Sequence, residues 1–399
     1  MAAPLRSGEA AGTLSLHTSD VTWHEKRGGA MHLRRSGQLL LALALAAVVA
    51  VGLTAAAATG AGGGTPTLIV GGIHVGSVSD AGYNQAQHDG LVYLQQHVPG
   101  VKLIEASNVP ESPQVETTMQ NMINQGAKLI FPQSFGYQDF ALSVAAKNPS
   151  VSFEHPAGYK YAPNFGTYWA ASTPINYALG AAAARVSKTG TIGFVGAIPI
   201  PTIIATADAF ALGAQSVNPQ IKTIVVFTGS WSDPAKEAAA VNTMANQHVD
   251  VVGTLVDSPI TVVKTAEQRH IFAIGYHSAA AAKYAPQYWL SGVDFNWGPM
   301  FVQMAKQVMS GEWKAQNWVA PVSMGIARLA PFGPNVPASA QLTAKRIVNT
   351  FASGKQTSAF KGPVYDQSGK LRVKAGVQPP ASFEQNVTWL VKGMVGSTK

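Results

Sequence analysis

From residue 67 onward, short apolar runs alternate with longer stretches in which apolar residues recur every three to four positions. The runs at 68–78, 101–106, 128–132 and 151–154 are rich in Val, Ile, Leu and Phe and have the length of buried strands. Between them the spacing predicts helices over 83–97, 113–125 and 137–147. Near-continuous apolar strands separated by amphipathic helices imply a parallel sheet covered on both faces. The rhythm restarts after Tyr168, with helices expected at 174–187, 202–215, 234–247 and 259–269, and strands at 191–195, 223–228, 249–256 and 271–274.

Two consecutive units of one kind predict an α/β chain of two doubly wound, parallel-sheet lobes joined by a hinge. A strand at 288–294, a helix at 299–310 and the tail to Lys399 are too few for a third domain. They are expected to cross back, giving a first lobe of 67–171 plus 295–315 and a second of 172–294 plus 316–396. Open parallel sheets bind ligands beyond the carboxyl ends of their strands. That rule places Ser79, Asp80, Ser134 to Tyr137, His155, Ile198 to Pro201, Ser230, Trp231, Asp257 and His277 around a cleft between the lobes.

Ahead of the fold, residues 31–58 read as a secretory signal: Met31, a basic stretch with Arg34 and Arg35, an apolar run from Leu39 to Leu53, then alanines. Cleavage is expected between about Ala55 and Gly64. The run is short for a membrane span, which needs about 20 apolar residues, although an uncleaved anchor is the alternative. Residues 59–66 form a glycine-rich linker, and the patternless 1–30 stretch is expected to be a non-native upstream extension.

Composition narrows the function. Hydrophobic residues make up 47% and charged residues 12%, so a large core is affordable and disorder is not expected. Residues 1–65 carry five basic and three acidic residues, leaving six of the eight net positive charges on the rest of the chain. Those charges are scattered singly, without the basic stripe of a nucleic-acid groove. The absence of cysteine excludes disulfides, thiol catalysis and a lipidated N-terminal cysteine. No nucleophile–base–orienter pattern appears, and Glu154 and His155 are neighbours on a strand and so face opposite ways. No enzyme activity, cofactor or metal is expected.

Eight segments then carry a resemblance: GSVSDAGYNQAQHDG (76–90), FPQSFGYQD (131–139), FEHPAGY (153–159), GSWSDPAKEA (229–238), AIGYHS (273–278), FNWGPMF (295–301), LAPFGP (329–334) and FKGPVYDQSGKLRV (360–373). In this order they resemble the basic membrane protein, or PnrA-like, family of periplasmic-binding-protein receptors. The resemblance implies a type I binding-protein fold, an exported monomer, and delivery of a purine base or nucleoside to an ABC permease. It implies a flat ring stacked between Tyr83 and Trp231, with Asp257 accepting a hydrogen bond. Asp80, Ser134, Phe135, Tyr137 and His277 complete the expected ligand contacts. Nucleoside-binding relatives carry Asp and Lys where this chain has His277 and, approximately, Asn296, which favours a base over a nucleoside. Carriers of another flat ring such as a flavin or of a sugar, and partners of a sensor, stay open as alternatives.

Several residues also have purely structural readings. Asp233 before Pro234 suits a helix cap, Asp80 suits either a cap or a ligand contact, and Asp139 suits a helix start. His155 and Tyr159 are expected in buried packing near the hinge. Trp169, Trp297, Trp313 and Trp318 are expected in core or hinge packing.

Overall fold

The computed structural model describes residues 68–398; the expected signal, linker and upstream stretch lie outside the described residues. The first half of the chain forms β1 (Leu68–His74), α1 (Tyr83–His97), β2 (Val101–Ala106), α2 (Gln114–Asn124), β3 (Ala127–Gln133), α3 (Gln138–Lys147), β4 (Ser152–Pro156) and β5 (Phe165–Ala170). The second half begins α4 (Thr173–Val186), β6 (Thr191–Gly196), α5 (Pro201–Gln215), β7 (Lys222–Phe227), α6 (Pro234–Asn246), β8 (Val251–Leu255), α7 (Ile260–Gln268), β9 (Phe272–Gly275) and β10 (Trp289–Phe295). The tail adds α8 (Gly298–Ser310), β11 (Asn317–Ala320), β12 (Ala327–Leu329), α9 (Ala338–Ala352), β13 (Val364–Tyr365), β14 (Leu371–Val373) and β15 (Met394–Val395).

Two sheets result. One runs β11-β5-β4-β3-β1-β2 with every pairing parallel. The other runs β12-β10-β9-β8-β6-β7-β15, antiparallel only at β12. Strand period decides the layers of the first lobe. Val70, Leu129 and Phe131 join Leu91 and Leu94 of α1 and Phe301 of α8 in one core, while Ile73 and Ile130 join Val115 and Met119 of α2 and Val144 of α3 in another. In the second lobe α4 and α5 press backbone to backbone. A Cβ on Gly180 would sit 1.9 Å from the Phe210 carbonyl oxygen, and one on Gly213 would sit 1.8 Å from that of Tyr177.

The chain passes between the sheets three times, after β5, after β10 and after β11. One expected boundary moves: β11, at 317–320, pairs with β5 in the first lobe, so the final return to the second lobe follows residue 320 and not 315. Aromatic packing fills the crossings, with Trp169 lying 5.5 Å from Phe295 and 5.6 Å from Trp297 between ring centroids. Trp313 donates from Nε1 to buried Glu154 (2.8 Å). β5 escaped the periodic reading because no helix separates it from β4; only the loop 157–164 does.

Candidate functional site

Between the lobes lies a cavity of about 440 Å³, within the size range of small-molecule sites. Its first-lobe wall begins at α1. Asp80 accepts from the backbone N–H of Gly82 (2.8 Å), Asn84 (3.0 Å) and Gln85 (3.0 Å), and from Asn84 Nδ2 (2.8 Å). These bonds satisfy N–H groups that the helix itself leaves unpaired, and they set Tyr83 at the cavity edge. Asp80 is therefore a helix-capping residue that does not line the cavity, correcting its expected role as a contact.

The two lobes touch here. Tyr83 N–H donates to the Asp257 carbonyl (2.8 Å), and Ser258 Oγ donates to the Asp80 carbonyl (2.9 Å). The fit needs glycine at position 82, where a Cβ would stand 1.9 Å from the Asp257 carbonyl oxygen.

Ser134 and Phe135 follow β3 and both line the cavity. Glu111 holds their turn, accepting from Ser134 Oγ and from the Gly136 N–H (2.9 Å). Phe135 then faces Trp231 of the other lobe at 6.2 Å between centroids. Tyr137 is a second correction: it is fully buried, its hydroxyl donates to the Val109 carbonyl, and it lies off the cavity wall.

Trp231, Asp257 and His277 line the second-lobe side. The Asp257 N–H donates to the Trp231 carbonyl (2.8 Å), which ties the two positions together. Burial, reinforced by the negative charges of Asp80, Glu111 and Glu237, pushes the Asp257 carboxyl well above the usual range. His277 sits at φ +75°, its ring edge-on to Tyr83 (5.2 Å) and to Tyr276 (4.5 Å). Burial depresses its pKa to about 3, so the imidazole is neutral at physiological pH. Its Nε2 is buried with no hydrogen-bond partner among the described residues.

Glu384, Thr173 and Tyr276 also line the cavity, and sequence reasoning missed all three. The Tyr276 hydroxyl donates to Ser172 Oγ (2.8 Å), and Thr173 Oγ1 donates to Glu384 Oε1 (2.6 Å). Burial pushes the Glu384 carboxyl up to about 7, with the Thr173 bond opposing the shift. Tyr276 was findable, being next to His277 at a strand end; Glu384 comes from the aperiodic tail, which carried no signal. Trp169 lines the cavity besides packing the hinge, whereas Asn296 does not line it and gives its N–H to the Ile326 carbonyl (2.8 Å). His155 is buried beside Phe165, and Tyr159 is exposed instead of buried. Asp233 caps α6 through the Lys236 N–H (3.1 Å), as its spacing suggests.

Seven rings from both lobes (Tyr83, Phe135, Tyr161, Trp169, Trp231, Tyr276, His277) and two carboxyls thus surround one cavity, with no Lys or Arg among the described residues on its wall. Flat apolar faces with a few polar anchors suit the capture of a ring compound.

Comparison with known proteins gives matching results. The profile of a family described as ABC transporter substrate-binding protein PnrA-like matches residues 68–350. A purine-binding protein of Brucella abortus (strain 2308) is 36% identical over 311 residues, covering 77% of this chain and 87% of its own. A protein of Haloferax volcanii named as a putative ABC transporter glucose-binding protein is 27% identical, covering 73% of this chain and 74% of its own. Among solved structures, an ABC transporter solute-binding protein from Conexibacter woesei superposes with a TM-score of 0.62 at 20% identity, over 72% of this chain and 97% of that one. That likeness shows the two-lobed fold.

Proposed function

The chain belongs to the PnrA-like family of ABC transporter substrate-binding proteins, and from that premise we propose that its cavity takes a purine base for delivery to an ABC permease. The observation that carries the reading is the gathering of rings from opposite lobes on one cavity wall, Tyr83 edge-on to His277 and Phe135 tilted toward Trp231, beside the Asp257 carboxyl. Stacking a nucleobase on one aromatic side chain is worth about 1–3 kcal/mol. A carboxyl, when protonated, offers an O–H donor beside a carbonyl acceptor, complementary to a purine edge where an N–H neighbours a ring nitrogen. The 36% identity to a purine-binding protein supports the same ligand class.

The preference for base over nucleoside rests on His277 alone, since Asn296 is off the wall. A neutral, buried imidazole offers a sugar less than a carboxylate does, and an unpaired buried hydroxyl costs about 1–3 kcal/mol. Isothermal calorimetry on ligand-stripped protein should find adenine at least about tenfold tighter than adenosine, a difference of 1.4 kcal/mol. His277→Asp should narrow that gap. A wild type that prefers adenosine would overturn the base reading. No response to any purine would overturn the ligand class, and a response to glucose instead would favour a sugar carrier.

The family works outside the cytoplasm, and the reading extends to export through the signal at 31–58. Among the described residues no helix is long and apolar enough to cross a membrane.

A further inference from the structure

The sequence offered no metal site, yet the fold assembles a His–His–Glu trio on the first lobe, away from the cavity. His74 ends β1, Glu105 lies in β2, and His88 sits in the second turn of α1. Gly72 is registered against Glu105, so His74, two residues further on, projects from the same sheet face as Glu105. His74 Nε2 stands 2.7 Å from Glu105 Oε1, and His88 Nδ1 stands 3.0 Å and 3.1 Å from the two carboxylate oxygens. One ligand atom from each residue lies within 4.8 Å of the others.

We propose that His74 Nε2, His88 Nδ1 and the Glu105 carboxylate bind one divalent transition-metal ion of the zinc class. Two imidazoles and a carboxylate are a ligand set that such ions take, commonly with water in a fourth position. Three separate elements supply the ligands, so folding itself brings them together. His74 is wholly buried, while the side chains of His88 and Glu105 keep 29% and 22% of their exposure, which leaves a path for the ion and room for the water. The only ion-pair partners of Glu105 among the described residues are these two imidazoles; no Lys or Arg holds it. Ligand atoms around a tetrahedral zinc ion stand about 3.3–3.5 Å apart, given metal–ligand bonds of about 2.0–2.2 Å. Seating the ion therefore opens the His74–Glu105 and His88–Glu105 pairs by about 0.3–0.8 Å and sets the two imidazole nitrogens, which lie within 4.8 Å of each other, at the same spacing. The bound ion would tie α1, whose first residue is Tyr83, to the end of β1 and so stiffen one wall of the cavity.

The test is calorimetric titration of zinc chloride into protein stripped with EDTA and dialysed, with cobalt absorption reporting coordination geometry. One ion per chain is expected, with tetrahedral cobalt bands and a raised melting temperature. His88→Ala and Glu105→Gln should each weaken zinc at least about tenfold, and melting curves without metal establish that both variants fold. His97→Ala, on the same helix but outside the trio, should leave zinc binding unchanged. Absence of saturable binding at millimolar zinc, or undiminished binding in both trio variants, would show the cluster to be a hydrogen-bonded network only.

Discussion

Trp231 and Glu384 stand on the wall of one cavity, and each supports a quantitative expectation. If Trp231 supplies a stacking face, Trp231→Ala should weaken adenine by about 1–3 kcal/mol, or roughly 5- to 150-fold, and weaken adenosine by a similar factor, because stacking reads only the ring. Calorimetry with both ligands checks this, and an unchanged affinity would remove Trp231 from the site. Glu384 has a pH signature. Its folded pKa of about 7 lies above the ordinary 4.5, so the folded state keeps a proton that the unfolded chain releases. Stability is then greatest below the unfolded value, falls as pH rises from 4.5 to about 7, and levels off above. The upper bound is about 3 kcal/mol from the size of the shift. Glu154, raised to about 8 by burial, slopes the same way, so the comparison must be made against a variant. Glu384→Gln should flatten the fall in denaturant-melt stability between about pH 5 and pH 7.5; parallel curves would mean that Glu384 ionises normally. At this scale six of eight expected contacts reach the cavity wall. Asp80 and Tyr137 do not, because a residue after a strand can turn inward to serve the helix start or the core as readily as outward.

The loop and helix start at 80–83 is an element on which the two lobes meet backbone to backbone. Gly82 has no room for a side chain against the Asp257 carbonyl. Gly82→Ala should push the lobes apart at this point, lower adenine affinity at least about tenfold, and enlarge the ligand-bound particle in small-angle scattering, with the helical content preserved. Unchanged affinity and size would show that this contact is not used in the bound state. Most elements were readable because each announces itself locally. The expected helix at 83–97 and strand at 101–106 match α1 and β2 residue for residue, and proline marks the first turn of α4, α5, α6 and α8. β11 and β15 were not readable: strands of four and two residues are too short to display a period, and they exist because a sheet edge accepts them.

For the whole molecule, a ligand that bridges the lobes stabilises the folded state by mass action. Adenine at 100 times its dissociation constant should add about 2.7 kcal/mol to the unfolding free energy, visible as a higher melting temperature; no rise at that saturation would mean that binding had been misassigned. Which parts of this protein are local and which are global now follows from particular residues. The alternation of buried strands and amphipathic helices, the two lobes and the strand-end positions of Tyr83, Trp231, Asp257 and His277 were set by the sequence by itself, since periodicity and strand-end geometry act over a few residues. Only the tertiary structure decided that Glu384, from the tail, lies against Thr173, 211 positions earlier. It alone brought His74 and Glu105 together across 31 positions, and joined Tyr83 to Asp257 across the cleft. Such pairings come from crossover connections and lobe contact, and no local pattern of apolar and polar residues encodes them.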